Sequence, residues 1–320
     1  MTSPASAAAE PAVVTIGETL ISLRSSGPFA LPTWLQATAA GAESTVAIGL
    51  ARLGHSVRWL SRVSVDEYGE SVLRSLRGEN VDVSFVARDD RRPTGLMILS
   101  RRTADLTRVS YWRAGSAASA LTVEDVVPGV GHPRILHLTG ITPALGVGAA
   151  RACLVAAQQV HHDGGLVSLD VNYRSRLWSP EMAQHGLAEL VELADIIIAS
   201  EEELPLVASG DEDSAVCGLL NRGARTVLIK RGAAGASLYD AAGRLDLPAV
   251  SVSVVDPVGA GDAFVAGYLS GLLDGLEKIQ CLDRAVRLGA FAVGVVGDWA
   301  GLPTRDELGL LDDLHQTTQR

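Results

Sequence analysis

The feature that most limits how this chain can fold is a repeated alternation. Short Val/Ile/Leu-rich runs recur along it, most of them separated by segments of helix length. "AVVTIGE" (12–18), "HSVRWLSRV" (55–63), "RILHLTG" (134–140), "LVSLDVN" (166–172), "ADIIIAS" (194–200) and "RTVLIKRG" (225–232) each read as a strand. These runs are nearly continuous in apolar character, so both faces of each strand must be covered. The pattern therefore predicts an α/β fold of three layers, with a mainly parallel central sheet between helices. "STVAIGLARLG" (44–54) predicts a helix, with Val46, Ile48, Leu50 and Leu53 on its apolar side. Ser44 or Thr45 would cap its start and Gly54 would end it. Near the C-terminus, "VSVVD" (252–256) reads as a further strand, followed by helices over 261–276 and 281–297.

Two stretches break the rhythm. "TLISLRSSGPFALPTW" (19–34) and "PTGLMILSRRTADLTRVSYWRAG" (93–115) alternate and carry turn residues, and "TGLMILS" with "RVSYWR" reads as a hairpin. They predict a small β-sheet, from about 18–40 and 93–115, that projects beside the ligand crevice as a lid. Residues 1–11 read as a disordered tail without the features of a signal peptide, and 12–320 as one domain. Hydrophobic residues make up 47% of the chain and charged residues 20%, a globular balance. The net charge of −10 argues against a nucleic-acid or membrane partner, and no run is long enough to span a bilayer. Cys153, Cys217 and Cys281 stand far apart, which points to reduced, buried thiols and a cytoplasmic setting.

In an open α/β sheet, ligands sit beyond the carboxyl ends of the strands. The residues found there are rich in polar groups: Glu18, Asp170, Asn172, Arg174, Ser200, Glu203, Lys230 and the stretch Asp256 to Asp262. "DPVGAGDAF" (256–264) places Asp262 directly after Gly259-Ala260-Gly261. The turn can be a simple strand-to-helix connection that Asp262 stabilises. It can also be an anion hole, whose amides receive a transferring phosphoryl group while Asp262 takes the proton of the attacking hydroxyl. On the second reading an aspartate of ordinary pKa, about 3.9, would be ionised at neutral pH. Neither the dinucleotide fingerprint nor a Walker A sequence occurs; the first strand's turn holds only Gly17.

These residues carry a resemblance. "VVDPVGAGDAFVAGYLSGLL" (254–273) resembles the C-terminal signature of the PfkB, or ribokinase-like, carbohydrate kinases. "GAESTVAIGLARLG" (41–54) is similar to that family's N-terminal glycine region, "SEEELPLV" (200–207) to its magnesium motif and "IKRGAAGASLY" (229–239) to its nucleotide-side segment. Within the family, "YWRAGSAAS" (111–119), "DVNYRSRLWS" (170–179) and "GDWAGLPT" (297–304) look most like 2-keto-3-deoxygluconate kinases.

The resemblance implies a ribokinase-like fold that uses ATP and Mg²⁺. It implies Asp262 as base, an anion hole at Gly259, Ala260 and Gly261, and sugar contacts from Gly41, Tyr111, Arg113, Asn172, Arg174 and Asp298. Ser200, Lys230, Gly232 and Gly235 would face the nucleotide, and Glu203 the metal. The substrate it implies is a sugar acid phosphorylated on its 6-hydroxyl. Fructokinase, ribokinase or another keto-sugar kinase is the sibling alternative, and a non-catalytic sugar-binding relative the alternative of another class. The residues add a reason for the acid: Arg113 and Arg174, from the lid hairpin and a strand end, suit a planar carboxylate. A homo-oligomer through the lid follows from the same resemblance. The chain departs from the family at Met97, where sugar-acid kinases often carry an aromatic, and at Ser200, where asparagine is usual.

Overall fold

The computed structural model describes residues 10–30, 32–101, 103 and 106–313. Most of the expected tail lies outside the described residues. The strands, in chain order, are β1 (Val13–Ile16), β2 (Leu20–Ser25), β3 (Leu35–Ala40), β4 (Val57–Leu60), β5 (Arg62–Ser64), β6 (Val81–Asp82), β7 (Ala87–Asp89) and β8 (Leu96–Arg101). They continue as β9 (Thr107–Trp112), β10 (Ile135–Thr139), β11 (Leu166–Asp170), β12 (Ile196–Ser200), β13 (Thr226–Lys230), β14 (Ala236–Asp240) and β15 (Gly243–Leu247). The helices are α1 (Ala42–Arg52), α2 (Glu67–Gly78), α3 (Val123–Val130), α4 (Val147–His162), α5 (Pro180–Leu193), α6 (Glu212–Asn221), α7 (Ala260–Leu273) and α8 (Lys278–Val293).

Among the described residues, nine strands form one sheet in the order β15-β14-β13-β12-β11-β10-β1-β4-β6. It is parallel from β6 to β13 and turns antiparallel only at the β14–β15 edge. Two apolar cores lie on its opposite faces. One gathers Val13 with residues of α1, α2, α7 and α8; the other gathers Val14 and Ile16 with residues of α3 to α6. Neighbouring residues of β1 thus enter different cores, which is why the strand is buried on every residue and apolar on all but Thr15. Each fully buried Leu, Ile or Val contributes roughly 1.5–3 kcal/mol, and β1, β4 and β10 are buried end to end.

The two aperiodic stretches form the separate four-stranded sheet β3-β2-β8-β9. Leu20, Ala40, Met97 and Leu99 make its small core, with Val109 packed against it. Met97 is therefore interior to the lid. Two aromatic residues that the lid pattern would lead one to expect in this core, Trp34 and Trp112, are instead 87% and 57% exposed. The core has room for small aliphatic side chains on one face of a thin sheet, and the indoles fall on its rim.

Three local readings change. Residues 252–256 form no strand; Val254 and Val255 are exposed, and the amides of Val255 and Asp256 donate to the Val293 carbonyl at the end of α8. Tertiary ties to a helix end thus replace sheet pairing. Helix α1 begins after Gly41 rather than at Ser44 or Thr45, and the Ser44 hydroxyl donates to the Gly41 carbonyl. Cys217 lies exposed on α6, whereas Cys153 and Cys281 are buried.

Helices α7 and α8 approach closely because small residues face each other. A Cβ added at Gly267 would stand 2.7 Å from both the Ala285 Cα and the Arg284 carbonyl oxygen. Gly267→Val must push the helices apart, and a thermal or urea melt is expected to show a loss of about 3 kcal/mol.

Candidate active site

Helix α7 starts at the edge of the crevice left by the strand ends. Gly259, its N-cap, has φ 82°, and a Cβ there would lie 2.0 Å from the Asp298 carbonyl oxygen. Both conditions require glycine. The first-turn amides of a helix have no intrahelical partner, so residues 259–261 bring donors and the positive end of the helix dipole to the crevice, the Ala260 amide making only a long contact, 3.4 Å, with the Pro257 carbonyl.

Asp262 stands in that first turn. Its Oδ1 accepts a hydrogen bond from Asn172 Nδ2 at 3.1 Å. Asn172 follows β11 in a left-handed conformation, φ 39°, which asparagine tolerates. Its Nδ2 lies 3.4 Å from Asp170 Oδ2, and Lys230 Nζ donates to both Asp170 oxygens at 2.7 and 2.9 Å. The ends of β11 and β13 thus meet the start of α7 in one polar cluster.

Burial pushes the Asp262 carboxyl up to about 7, and the Asp170 carboxylate adds to the rise against the pull of Arg174 and Lys230. The ordinary aspartate pKa expected from sequence is therefore replaced by a value near neutrality, a poise suited to a general base. Burial works against the Lys230 charge, but Asp170 and Glu203 hold its pKa above the ordinary lysine range. If Asp262 must be deprotonated, kcat/KM for the acceptor is expected to rise with pH through a limb near pH 7. In Asp170→Asn the limb should move toward lower pH, and a pH–rate series checks the direction.

Of the expected nucleotide-side residues, Lys230, Gly232 and Gly235 line one cavity of about 520 Å³ with Ala260, Gly261 and Phe264, apolar residues such as Val250, Val254, Val286 and Val293 closing its other side, and Ser200 lies outside it. Residues 252–254, freed from the sheet, supply part of that wall.

Ser200 and Glu203 serve each other. The Ser200 amide donates to Glu203 Oε2 at 2.8 Å, and the Glu203 amide donates to Ser200 Oγ at 3.2 Å. Glu203 Oε1 accepts the Tyr173 amide at 2.8 Å. No group of three potential metal ligands occurs among the described residues. Yet two carboxylates, Asp170 and Glu203, already flank the Lys230 ammonium at 2.7 and 3.8 Å. Such a site fits a water-shelled divalent cation that arrives with nucleotide phosphates, not one caged by protein.

The sugar-side residues line a second, larger cavity of about 1340 Å³ between lid and main body, including Tyr111, Arg113, Tyr173 and Arg174. Among the described residues the same walls carry Arg108 and Arg176, which sequence reasoning missed, and no Asp or Glu. Arg108, Arg174 and Arg176 have no carboxylate partner among the described residues. Arg113 differs: its Nε donates to Glu18 Oε2 at 2.7 Å, its Nη2 lies 2.5 Å from the same oxygen, and Glu18 also accepts the Ser116 hydroxyl. The expected pair of clamping cations is thus unequal, because Glu18 already balances one of them.

Three expected sugar contacts lie outside this lining: Asn172, whose side-chain amide is turned to Asp262 and Asp170, together with Gly41 and Asp298. Gly41 caps α1, and a Cβ there would come within 2.4 Å of the Glu18 carbonyl oxygen. Asp298 is held by Arg24 of β2 at 3.0 Å, behind the anion-hole turn. Met97, buried in the lid core, lines neither cavity. Glu43 was also missed. It is fully buried and accepts the hydroxyls of Thr139 and Thr142 at 2.6 and 2.7 Å, and burial pushes its pKa up. Its place in an otherwise apolar helix face, just after Gly41, was the available signal.

The model of the pfkB family carbohydrate kinases matches residues 11–305. The chain belongs to this family. The chain is similar to the 2-dehydro-3-deoxygluconokinase of Bacillus subtilis, at 38% identity over 84% of this chain and 85% of the relative. It is also similar to a fructokinase of Escherichia coli, at 33% identity over 84% of this chain and 90% of the relative. A solved structure described as a ribokinase II of E. coli in complex with ATP and Mg²⁺ superposes with a TM-score of 0.88 at 25% identity, covering 95% of this chain and 99% of the other. The three-layer architecture with its separate lid sheet is thus the ribokinase-like fold of the family. The candidate site lies at the carboxyl ends of the parallel strands β11 and β13. No helix of the described residues is long and apolar enough to cross a membrane.

Proposed function

We propose that this pfkB-family kinase transfers the γ-phosphoryl group of ATP to the 6-hydroxyl of a sugar acid, with 2-keto-3-deoxygluconate as the substrate and its 6-phosphate as the product. The observation that carries the reading is the position of Asp262. Its neighbour Gly261 lines the cavity of Lys230, and its hydrogen-bond partner Asn172 directly precedes Tyr173 and Arg174 of the arginine-lined cavity, although Asp262 itself lines neither.

In the reaction, the 6-hydroxyl oxygen forms its bond to the γ-phosphorus as the bond from that phosphorus to the β,γ-bridging oxygen breaks. ADP leaves with the bonding pair, and the hydroxyl proton passes to Asp262. The amides of residues 259–261 would receive the charge spread over the equatorial oxygens, and Lys230 would face the phosphates. Arg174 would hold the acid's carboxylate, with the remaining N–H groups of Arg113 beside it. Magnesium bound with the nucleotide would neutralise phosphate charge, with Glu203 and Asp170 near its water shell. The relative from B. subtilis supports the sugar acid, and the unpartnered arginines favour it over the neutral hexose of the fructokinase.

A cytoplasmic enzyme fits this chemistry, and a homo-oligomer through the lid fits its exposed Trp34 and Trp112. An ADP-coupled assay over keto-deoxy sugar acids, hexoses and pentoses tests the function. The reading requires the keto-deoxy acid to have the highest kcat/KM, and a neutral sugar that surpasses it overturns the assignment.

A further inference from the structure

Arg24 is a lid residue that reaches into the main body. From β2, its Nη1 donates to Asp256 Oδ2 at 2.5 Å and its Nη2 to Asp298 Oδ1 at 3.0 Å. All three side chains are at most 13% exposed. Asp256 begins the anion-hole segment: its Oδ1 accepts the Val258 amide at 3.1 Å and its Oδ2 the Gly297 amide at 3.2 Å. Asp298 presses its carbonyl against Gly259, so closely that a Cβ there would stand 2.0 Å from the oxygen. The next residue, Trp299, donates its indole N–H to the Ala39 carbonyl of β3, again in the lid, at 2.8 Å. One guanidinium fork therefore joins both walls behind residues 259–261 to the sheet that covers the sugar cavity.

Two carboxylates placed there without a counter-charge would oppose the negative charge that phosphoryl transfer brings to the amides. A fork can satisfy both at once, which a lysine ammonium on one short reach does less well. We infer that Arg24 is a positioning residue for phosphoryl transfer: it fixes the anion-hole turn relative to the lid and neutralises the two aspartates behind it. The inference rests on residues 259–261 being the phosphoryl-receiving turn, and it adds a residue that touches neither substrate.

The test uses the full-length R24A and R24K proteins, with ATP and the acceptor that the wild type phosphorylates best. R24A is expected to lose about 100-fold in kcat while the acceptor KM moves less than about threefold. Guanidinium chloride at about 20 mM, far below denaturing levels, should restore at least about tenfold of that loss, saturably. R24K, which keeps a charge but loses the fork, should sit between, about tenfold down. It decides the matter by itself if R24A fails to fold.

Hydrogen exchange across residues 256–262 gives a readout that needs no acceptor, and it should run at least about tenfold faster in the variants. Unchanged exchange, wild-type kcat in folded R24A or R24K, or a loss that guanidinium does not relieve would each overturn the inference. A wild type without activity on any sugar acid would instead sink the substrate assignment, and the exchange result would still decide the role of Arg24 in holding the turn.

Discussion

Asp262→Asn is expected to lower kcat by about 1,000-fold while leaving the ATP and acceptor KM values within a few-fold, because a general base contributes 10²–10⁴ to rate and little to binding. The amide keeps the shape of the side chain and its contact with Asn172 but cannot take the hydroxyl proton. The same variant carries a second signature in stability. The Asp262 pKa rises from 3.8 unfolded to about 7 folded, so the folded protein holds a proton that the unfolded chain has released. Stability from this group is full below the unfolded value and is lost as pH climbs to the folded one. The loss should amount to at most about 3 kcal/mol, after allowing for the partial exposure of the residue. Asparagine abolishes it, so melts should show the variant gaining on the wild type between about pH 4 and pH 7. Retention of wild-type kcat would remove Asp262 from the chemistry, and a pH-independent stability difference would contradict its environment.

Arg174→Ala is expected to lower kcat/KM about 100-fold for a sugar acid and no more than about threefold for a neutral ketohexose, since each charge-assisted hydrogen bond contributes roughly 1.5–3 kcal/mol. Arg174 lines the cavity without an ion-paired carboxylate among the described residues, although its charge also helps to hold down the Asp262 pKa. Arg113→Ala should behave differently. Glu18 is 2% exposed and would be left without its cation. Breaking such a pair costs about 3–5 kcal/mol, so this variant should melt early and lose activity on acid and neutral sugars alike. A parallel measurement of kcat/KM on both substrates and of the thermal midpoint separates the two arginines. Equal discrimination by both variants, with unchanged stability, would restore the symmetric clamp that sequence alone suggests.

The legible parts of this protein are those that depend on local pattern. Apolar runs flanked by helical periodicity mark the central strands, because a strand covered on both faces is apolar on most of its residues. The irregular, turn-rich stretches mark the lid for the converse reason. Glycine followed by Asp262 marks the start of α7 because only that turn chemistry accommodates a left-handed N-cap pressed on a carbonyl.

What depends on partners distant in sequence was not legible. Glu18 and Arg113 stand 95 positions apart, and Arg24 and Asp298 274 apart, so neither pairing leaves a local trace. The raised pKa of Asp262 comes from burial and from Asp170, a residue on another strand. Val254 and Val255 have the composition of a strand, but their neighbours in space are a cavity and the end of α8.

The most direct measurement is a crystal structure of the ternary complex with a non-hydrolysable ATP analogue and 2-keto-3-deoxygluconate. The account predicts an Asp262 carboxylate oxygen within about 3 Å of the 6-hydroxyl, the γ-phosphate on the amides of residues 259–261, and the sugar carboxylate on Arg174. An acid bound with its carboxylate away from Arg174, or a 6-hydroxyl beyond hydrogen-bond reach of Asp262, would contradict it.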